Sequence, residues 1–387
     1  MKTKKNNTMK LLAAVLTVCM LFALLVSCAS DQGKPQETTS ADAEQTTAVS
    51  TTDKGDESTS ADTETADTTD TDSTTSAEET TSAEETTASA DLGLDVKIMV
   101  LNGTTGFGMA KLMDENTKKN TLLNYSFSVE SDASNVSAAL ISGNVDIAAL
   151  PTNAAATVYA KTKGGVQILA ANTLGVLYIV TNGDQGISSL ADLNGKTVYC
   201  PAQNPTFIMK YLFAKNGLDV TIDNTYAQPA DLRTAVTAGK VDIAILPEPM
   251  VTIAMSQNKD LKKVVDVTAE WNRVSEKDSL VQGCIVVRTE FANQHPDAVS
   301  MFLDEYSASV SYVRENPESA GEMIAANGIF AQAAVAAKAI PNCNICFMEG
   351  EAMKTAVSKY MSALFEIAPA SVGGAVPGDD FYYARKK

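Results

Sequence analysis

The chain has 387 residues, with 47 acids against 30 bases and a formal net charge of −17. The acidity is uneven: residues 29–91 hold 17 acids and two lysines, residues 1–28 contribute +4, and residues 92–387 keep only −6. No basic stripe is left to neutralise phosphates, which argues against nucleic acid as a partner, and the part after residue 91 has room for two lobes of ordinary size.

The N-terminus carries Lys2, Lys4, Lys5 and Lys10, then an apolar run from Leu11 to Val26, then Leu25-Val26-Ser27-Cys28. A charged region, a hydrophobic region of secretory length and a small-residue cleavage site, in that order, predict a signal peptide over 1–28 and no spanning helix in the mature protein. The last four residues resemble a bacterial lipobox, which implies that Cys28 becomes the lipidated first residue on the extracytoplasmic face of the cell membrane. Residues 29–91 are rich in Thr, Ser, Ala, Asp and Glu, and TTSAEE at 74–79 recurs at 80–85. Such a composition buries no core, so a disordered tether is expected, with a root-mean-square reach of about 45 Å as a flexible coil.

The folded part repeats itself. GNVDIAALP at 143–151 returns as GKVDIAILP at 239–247, 96 residues on. Upstream, KIMVLNGTTGFGMAKLM from Lys97 is echoed by KTVYCPAQNPTFIMKYL from Lys196, with Met109, Leu112 and Met113 matched by Ile208, Tyr211 and Leu212 at an offset of 99. Each unit reads strand, polar loop, helix, second helix, then a strand ending in proline, which predicts two similar α/β lobes.

Two β-rich runs, VQILAANTLGVLYIVTNG and SLVQGCIVVRTEF, bracket the second unit as paired crossovers, placing lobe I at 92–182 and 283–387 and lobe II at 183–282. On the return, Val299, Phe302, Leu303 and Tyr306 keep helical spacing until Asn316-Pro317 breaks it. LADLNGKTV, the paired VDIA strands, Pro-Glu-Pro at 247–249 and the region from FANQHPDAVSMFL to ENPES together resemble the substrate-binding lipoproteins of bacterial ABC importers. The branch in question includes nitrate, alkanesulfonate, taurine and thiamine-precursor binders, and the likeness runs from about Leu94 to Ala368. It implies a two-lobed α/β fold of the type II periplasmic-binding kind with two crossover strands, and a small-molecule ligand. It further implies a permease and an ATPase as partners, a monomer, no cofactor and no bond broken.

Ligands of open α/β sheets sit beyond the carboxyl ends of strands, so the loops after the repeated strands are the candidates. Asn102, Gly103, Thr104 and Thr105 combine a flexible glycine and hydroxyls with a helix start; the equivalent loop of lobe II offers Gln203, Asn204 and Thr206. Thr152 and Asn153 supply neutral hydrogen bonds, and Asn172 and Thr173 begin the first crossover. Glu248, between two prolines, either presents a carboxylate to the cleft, favouring amine or amidine donors over oxyanions, or caps a helix or bridges the lobes. Trp271, the only tryptophan, stacks on a ring in the cleft wall or packs beneath the hinge. Asp146 and Asp242 read as solvated turn residues. A thiamine-precursor-like heteroaromatic is the first expected ligand, from Glu248 and Trp271, and a sulfonate, taurine or nitrate the second.

Cys343 and Cys346 have the spacing of zinc and redox sites, but no second pair accompanies them and His295 is the only histidine, so no metal is expected; a local disulfide or two buried thiols fits better, with Cys200 and Cys284 as packing residues. Alternatives remain. One is a secreted enzyme on the same fold related to pyrimidine synthases, whose cysteine-rich segment Cys343–Phe347 resembles faintly, or to menaquinone-pathway proteins. Another is a receptor that serves a sensor.

Overall fold

The computed structural model describes residues 94–385; the expected signal peptide, Cys28 and the expected tether lie outside them. Val96, Ile98 and Val100 are buried on alternate positions of β1 (Asp95–Leu101), and Gly103 at φ 90° turns the chain into α1 (Thr104–Phe107) and α2 (Ala110–Thr117). After β2 (Asn124–Glu130), α3 (Ala133–Ser142) starts where the Asp132 carboxylate accepts the Ser134 N–H and stops at Gly143, left-handed at φ 76°. Then come β3 (Ile147–Pro151), α4 (Thr152–Thr162) and β4 (Val166–Thr173).

The second half runs β5 (Leu177–Asn182), β6 (Thr197–Tyr199), α5 (Asn204–Lys215), β7 (Thr221–Asp223), α6 (Pro229–Thr237), β8 (Ile243–Pro247), α7 (Met250–Gln257), β9 (Leu261–Asp266) and α8 (Val267–Val274). The return brings β10 (Gly283–Arg288), α9 (Thr289–Gln294), α10 (Pro296–Glu315), α11 (Pro317–Ala326), α12 (Ala333–Ala339), β11 (Ile345–Met348) and α13 (Gly350–Ile367). Val299, Phe302, Leu303 and Tyr306 are fully buried along α10, and the helix breaks at Asn316 as its sequence expects. Among the described residues no helix is long and apolar enough to cross a membrane.

The strands make a six-stranded sheet, β11-β4-β10-β3-β1-β2, and a five-stranded one, β7-β6-β8-β5-β9. The repeat is visible in the pairing. The first strands of each unit run parallel, β2-β1-β3 and β7-β6-β8, and next to the repeated VDIA strand each sheet takes one antiparallel strand, β10 in the first and β5 in the second. Those two strands are the far ends of the crossovers.

Two expected boundaries move. Leu177–Asn182, assigned to lobe I, pairs with β8 and β9 of the second sheet, so the chain crosses at residues 174–176. Residues 283–387, expected to complete lobe I, do supply β10 and β11 to the first sheet, but α13 lies against lobe II: the Tyr360 hydroxyl donates to Asn204 Oδ1 at 2.8 Å and Lys215 pairs with Glu366 at 2.8 Å. The chain then returns, and the Tyr383 amide donates to the Ile168 carbonyl of β4.

The crossovers are laced together. The Gln282 amide donates to the Thr173 carbonyl, its carbonyl takes the Thr152 amide, and its side-chain Oε1 accepts the Val176 amide at 2.8 Å. The Val176 carbonyl in turn accepts the Glu248 amide. One apolar cluster continues from Leu150 and Cys284 through Leu177 and Val281 to Trp271 and Tyr360, joining both lobes at the hinge. Gly175 sits where a Cβ would lie 2.2 Å from Thr268 Oγ1 and 2.6 Å from Leu280 Cδ2. Replacing Gly175 by Val should therefore lower stability by about 1–3 kcal/mol through overpacking, read as a lower urea midpoint with an unchanged slope.

Candidate functional site

Between the lobes lies a cavity of about 400 Å³, at the carboxyl ends of the strands. Lobe I contributes Asn102, Gly103, Thr104, Thr105, Ser131 and Phe330; lobe II contributes the first turns of α6 and α7 and the β8 end, with Gln228, Glu248 and Met250. The lobe I loop is fixed from three sides. Asn102 donates its amide to the Glu130 carbonyl, Gly103 to the Ile329 carbonyl, and Asn172 Nδ2 donates to the Thr105 carbonyl at 2.8 Å.

Glu248 is only 3% exposed and lines this cavity. Its Oε2 accepts the Thr252 amide at 3.1 Å, so it caps the start of α7, as one reading of this residue expects. Among the described residues it has no ion-pair partner. Desolvation raises its pKa above the ordinary 4.5, the bonds from Thr252 and the charge of Lys263 pulling the other way.

A second cavity of about 570 Å³ takes Asn153 and Gln203 from the expected set, with one face each of α3 and α4, Phe207 and Ser371. Asn153 Oδ1 and Ser371 Oγ are buried there without partners. Thr152 and Thr173 line neither cavity: both are buried beside Gln282, their hydroxyls unpartnered.

Three expected ligand contacts are turned away. Trp271 is fully buried, donates its indole N–H to Ser279 Oγ at 2.9 Å, and lies 4.9 Å from the Tyr211 ring and 5.7 Å from Tyr360; it packs beneath the hinge because an indole buries most area where α5, α8 and α13 converge. Thr206 donates to the Pro201 carbonyl and accepts from Asn224 Nδ2, closing its own loop. Asn204 accepts the Tyr360 hydroxyl. Asp146, expected in solvent, instead accepts the Lys97 amide at 3.0 Å and pairs with Arg288 at 3.3 Å.

The aromatic wall of the first cavity is Phe330, edge-to-face with Phe107 at 6.2 Å. It and Gln228, Ser131 and Met250 were not singled out in the sequence. For Ser131 and Gln228 a signal existed, since both lie within two residues of the start of the second helix of their repeat units; for Phe330, in a loop outside the repeat, there was none.

All four described cysteines are free thiols. Cys343 donates to the Ala339 carbonyl and Cys346 to the Ala171 carbonyl, and burial pushes Cys346 up to about 12. Among the described residues no group of three or more His, Cys, Asp or Glu is placed to hold a metal ion.

Residues 123–320 match the family model described as NMT1/THI5 like, a stretch of more than half the chain. The chain belongs to the NMT1/THI5-like family. No curated protein matches it in sequence. Among solved structures, this NMT1/THI5-like chain is similar to an ABC transporter from Parabacteroides distasonis, with 23% identity, a TM-score of 0.63, and 75% of this chain and 99% of that one covered. It is also similar to the periplasmic aliphatic sulphonate binding protein of Escherichia coli, at 16% identity and TM-score 0.61 over 76% and 93%. A third is the alkanesulfonate-binding protein of Xanthomonas axonopodis pv. citri bound to MOPS, at 15% and 0.53 over 73% and 94%. At these identities the likeness is one of fold: the two-lobed α/β periplasmic-binding arrangement expected from the sequence.

Two outcomes follow from the geometry. A carboxyl whose pKa is raised by folding binds its proton more tightly in the folded state. The stability it contributes is complete below the ordinary 4.5 and falls as pH rises through the raised value. Glu248→Gln removes that penalty and keeps an acceptor for the Thr252 amide, so thermal melts should find it at least as stable as the parent at about pH 7, the difference closing at about pH 4. Trp271→Phe should cost about 1–3 kcal/mol, from lost volume and the lost indole hydrogen bond to Ser279, while leaving the affinity of any cavity ligand unchanged by calorimetry.

Proposed function

We propose that the protein is the extracytoplasmic solute-binding subunit of an ABC importer. A leader over 1–28 directs export, Cys28 carries a lipid anchor, residues 29–91 tether the monomer, and the two lobes close on a small organic solute for delivery to a permease and its ATPase. The observation that carries this reading is a cavity walled by loops of two separate sheets, linked through laced crossovers. Relative rotation of two such bodies changes that cavity more than any other part of the molecule. The neighbours described as an ABC transporter and as periplasmic binding proteins support the same role.

The first ligand class is a thiamine-precursor-like heteroaromatic with amino donors. Glu248 accepts from such a group in a water-poor setting, Phe330 and Met250 offer apolar faces, and Ser131, Thr104 and Gln228 offer neutral hydrogen bonds. No Lys, Arg or His lines this cavity, so a bare oxyanion meets a carboxylate and no cation. The second class, a sulfonate, taurine or nitrate, is favoured by one observation: the first turns of α6 and α7 line the cavity, and helix N-termini hold anions through their free amides.

A thermal-shift screen of the soluble part separates the two. At a hundredfold excess over Kd a ligand stabilises by about 2.7 kcal/mol. Aminopyrimidines are expected to raise the melting temperature and oxyanions to leave it in place. A shift with nitrate, taurine and alkanesulfonates alone would sink the heteroaromatic assignment; no shift with either group, together with an unchanged radius of gyration, would sink the binding role.

A further inference from the structure

The ladders on both sides of β4 leave out Asn172. Against β10, Gly283 pairs with Thr173 and Cys284 with Ala171; against β11, Ile345 pairs with Thr173 and Met348 with Ala171. Asn172 is therefore the extra residue of a β-bulge, an irregularity that re-aims a side chain and recurs beside functional sites. Here it holds an amide in the interior, 1% exposed, whose Nδ2 donates to the Thr105 carbonyl at 2.8 Å.

The other end of that amide meets the second crossover. Asn172 Oδ1 is buried without a hydrogen-bond partner and lies against Gly283, where a Cβ would come within 2.6 Å of it. Gly283 follows Gln282, which laces the crossovers, and the Thr173 carbonyl next to Asn172 accepts the Gln282 amide. One side chain thus spans from the loop that lines the first cavity with Thr104 and Thr105 to the first residue of β10. Neither Asn172 nor Gly283 lines that cavity itself. A side chain at position 283 would have to push the amide aside, and with it the bond to Thr105.

We propose that Asn172 is a positioning residue that couples the cavity loop to the crossovers, so that a change at Gly283 alters solute affinity without touching the solute. That Thr104 and Thr105 meet a solute rests on the binding role above; that Asn172 holds their loop rests on its hydrogen bond and its packing against Gly283. If Asn172 only filled a bulge in the core, losing it would lower stability throughout and would not single out the loop.

The test is a double-mutant cycle on the full chain, read first by amide hydrogen exchange. Asn172→Ala leaves the Thr105 carbonyl without its donor, and Gly283→Ala displaces the amide while keeping every polar group. Each is expected to speed exchange about tenfold across residues 102–109 and to leave β8 unchanged. In the double variant the added methyl has no amide to displace, so exchange matches that of Asn172→Ala alone. Asn172→Ser replaces Asn172→Ala in the cycle if the latter does not fold. Additive effects, an unchanged loop in either single variant, or equal acceleration in β8 would overturn the coupling. Calorimetry with 4-aminopyrimidine reads the consequence: each single variant should bind it about tenfold more weakly than the parent, and the double variant no more weakly than Asn172→Ala. Parental affinity in either single variant would overturn the effect on affinity. If the parent itself does not bind 4-aminopyrimidine, the failure belongs to the solute assignment, and the exchange cycle alone decides whether Asn172 couples loop and crossover.

Discussion

The hydrogen bonds of Gln282 hold the molecule's two halves in register. Its amide and carbonyl bind the end of β4 and the start of α4, both in lobe I, while its side chain reaches the first crossover at Val176, whose carbonyl holds the amide of Glu248 in lobe II. The two crossovers are therefore one hydrogen-bonded unit, and the residue that presents the buried carboxylate is suspended from it. Any rotation of the lobes acts on this unit, because the sheets on either side are stiffened by their own ladders and cores.

The hinge region leaves several buried polar groups unpaired. Buried polar atoms are nearly always satisfied, yet Glu248 has a single backbone donor, and the hydroxyls of Thr152 and Thr173 and the Oδ1 atoms of Asn153 and Asn172 have no partner. These groups lie around the ends of β3, β4 and β8. Glu248 lines the first cavity and Asn153 the second, whereas Thr152, Asn172 and Thr173 line neither, so the unpaired groups are shared between the hinge and two separate spaces.

The duplication was legible in the sequence because burial imposes it twice: GNVDIAALP and GKVDIAILP both become strands whose four apolar residues are buried, next to an antiparallel neighbour. The long helix α10 was legible through its 3.6-residue pattern and its terminal Asn-Pro. The crossing point was not, since Thr173 to Asn182 is apolar enough to be one continuous strand, and only pairing partners reveal that it changes sheets at residues 174–176. Cavity-lining residues were legible where a loop follows a repeated strand, as with Asn102 to Thr105 and Glu248. They were misread where a side chain had a local use: Thr206 closes its own loop, Asn204 is engaged by Tyr360, and Trp271 is buried under the hinge with its indole bonded to Ser279. Phe330 was invisible because it comes from a loop after α11 that approaches the cavity only in three dimensions.

The path of α13 bears on how the lobes are joined. Two adjacent connections alone leave a pair of bodies free to swivel as well as to fold together. Here the chain makes a further passage, from β11 in the first sheet to the Tyr360 and Glu366 contacts on α5 and back to β4. This extra passage joins the two sheets at a place other than the crossovers, so α13 belongs to the link between the lobes as much as the crossovers do.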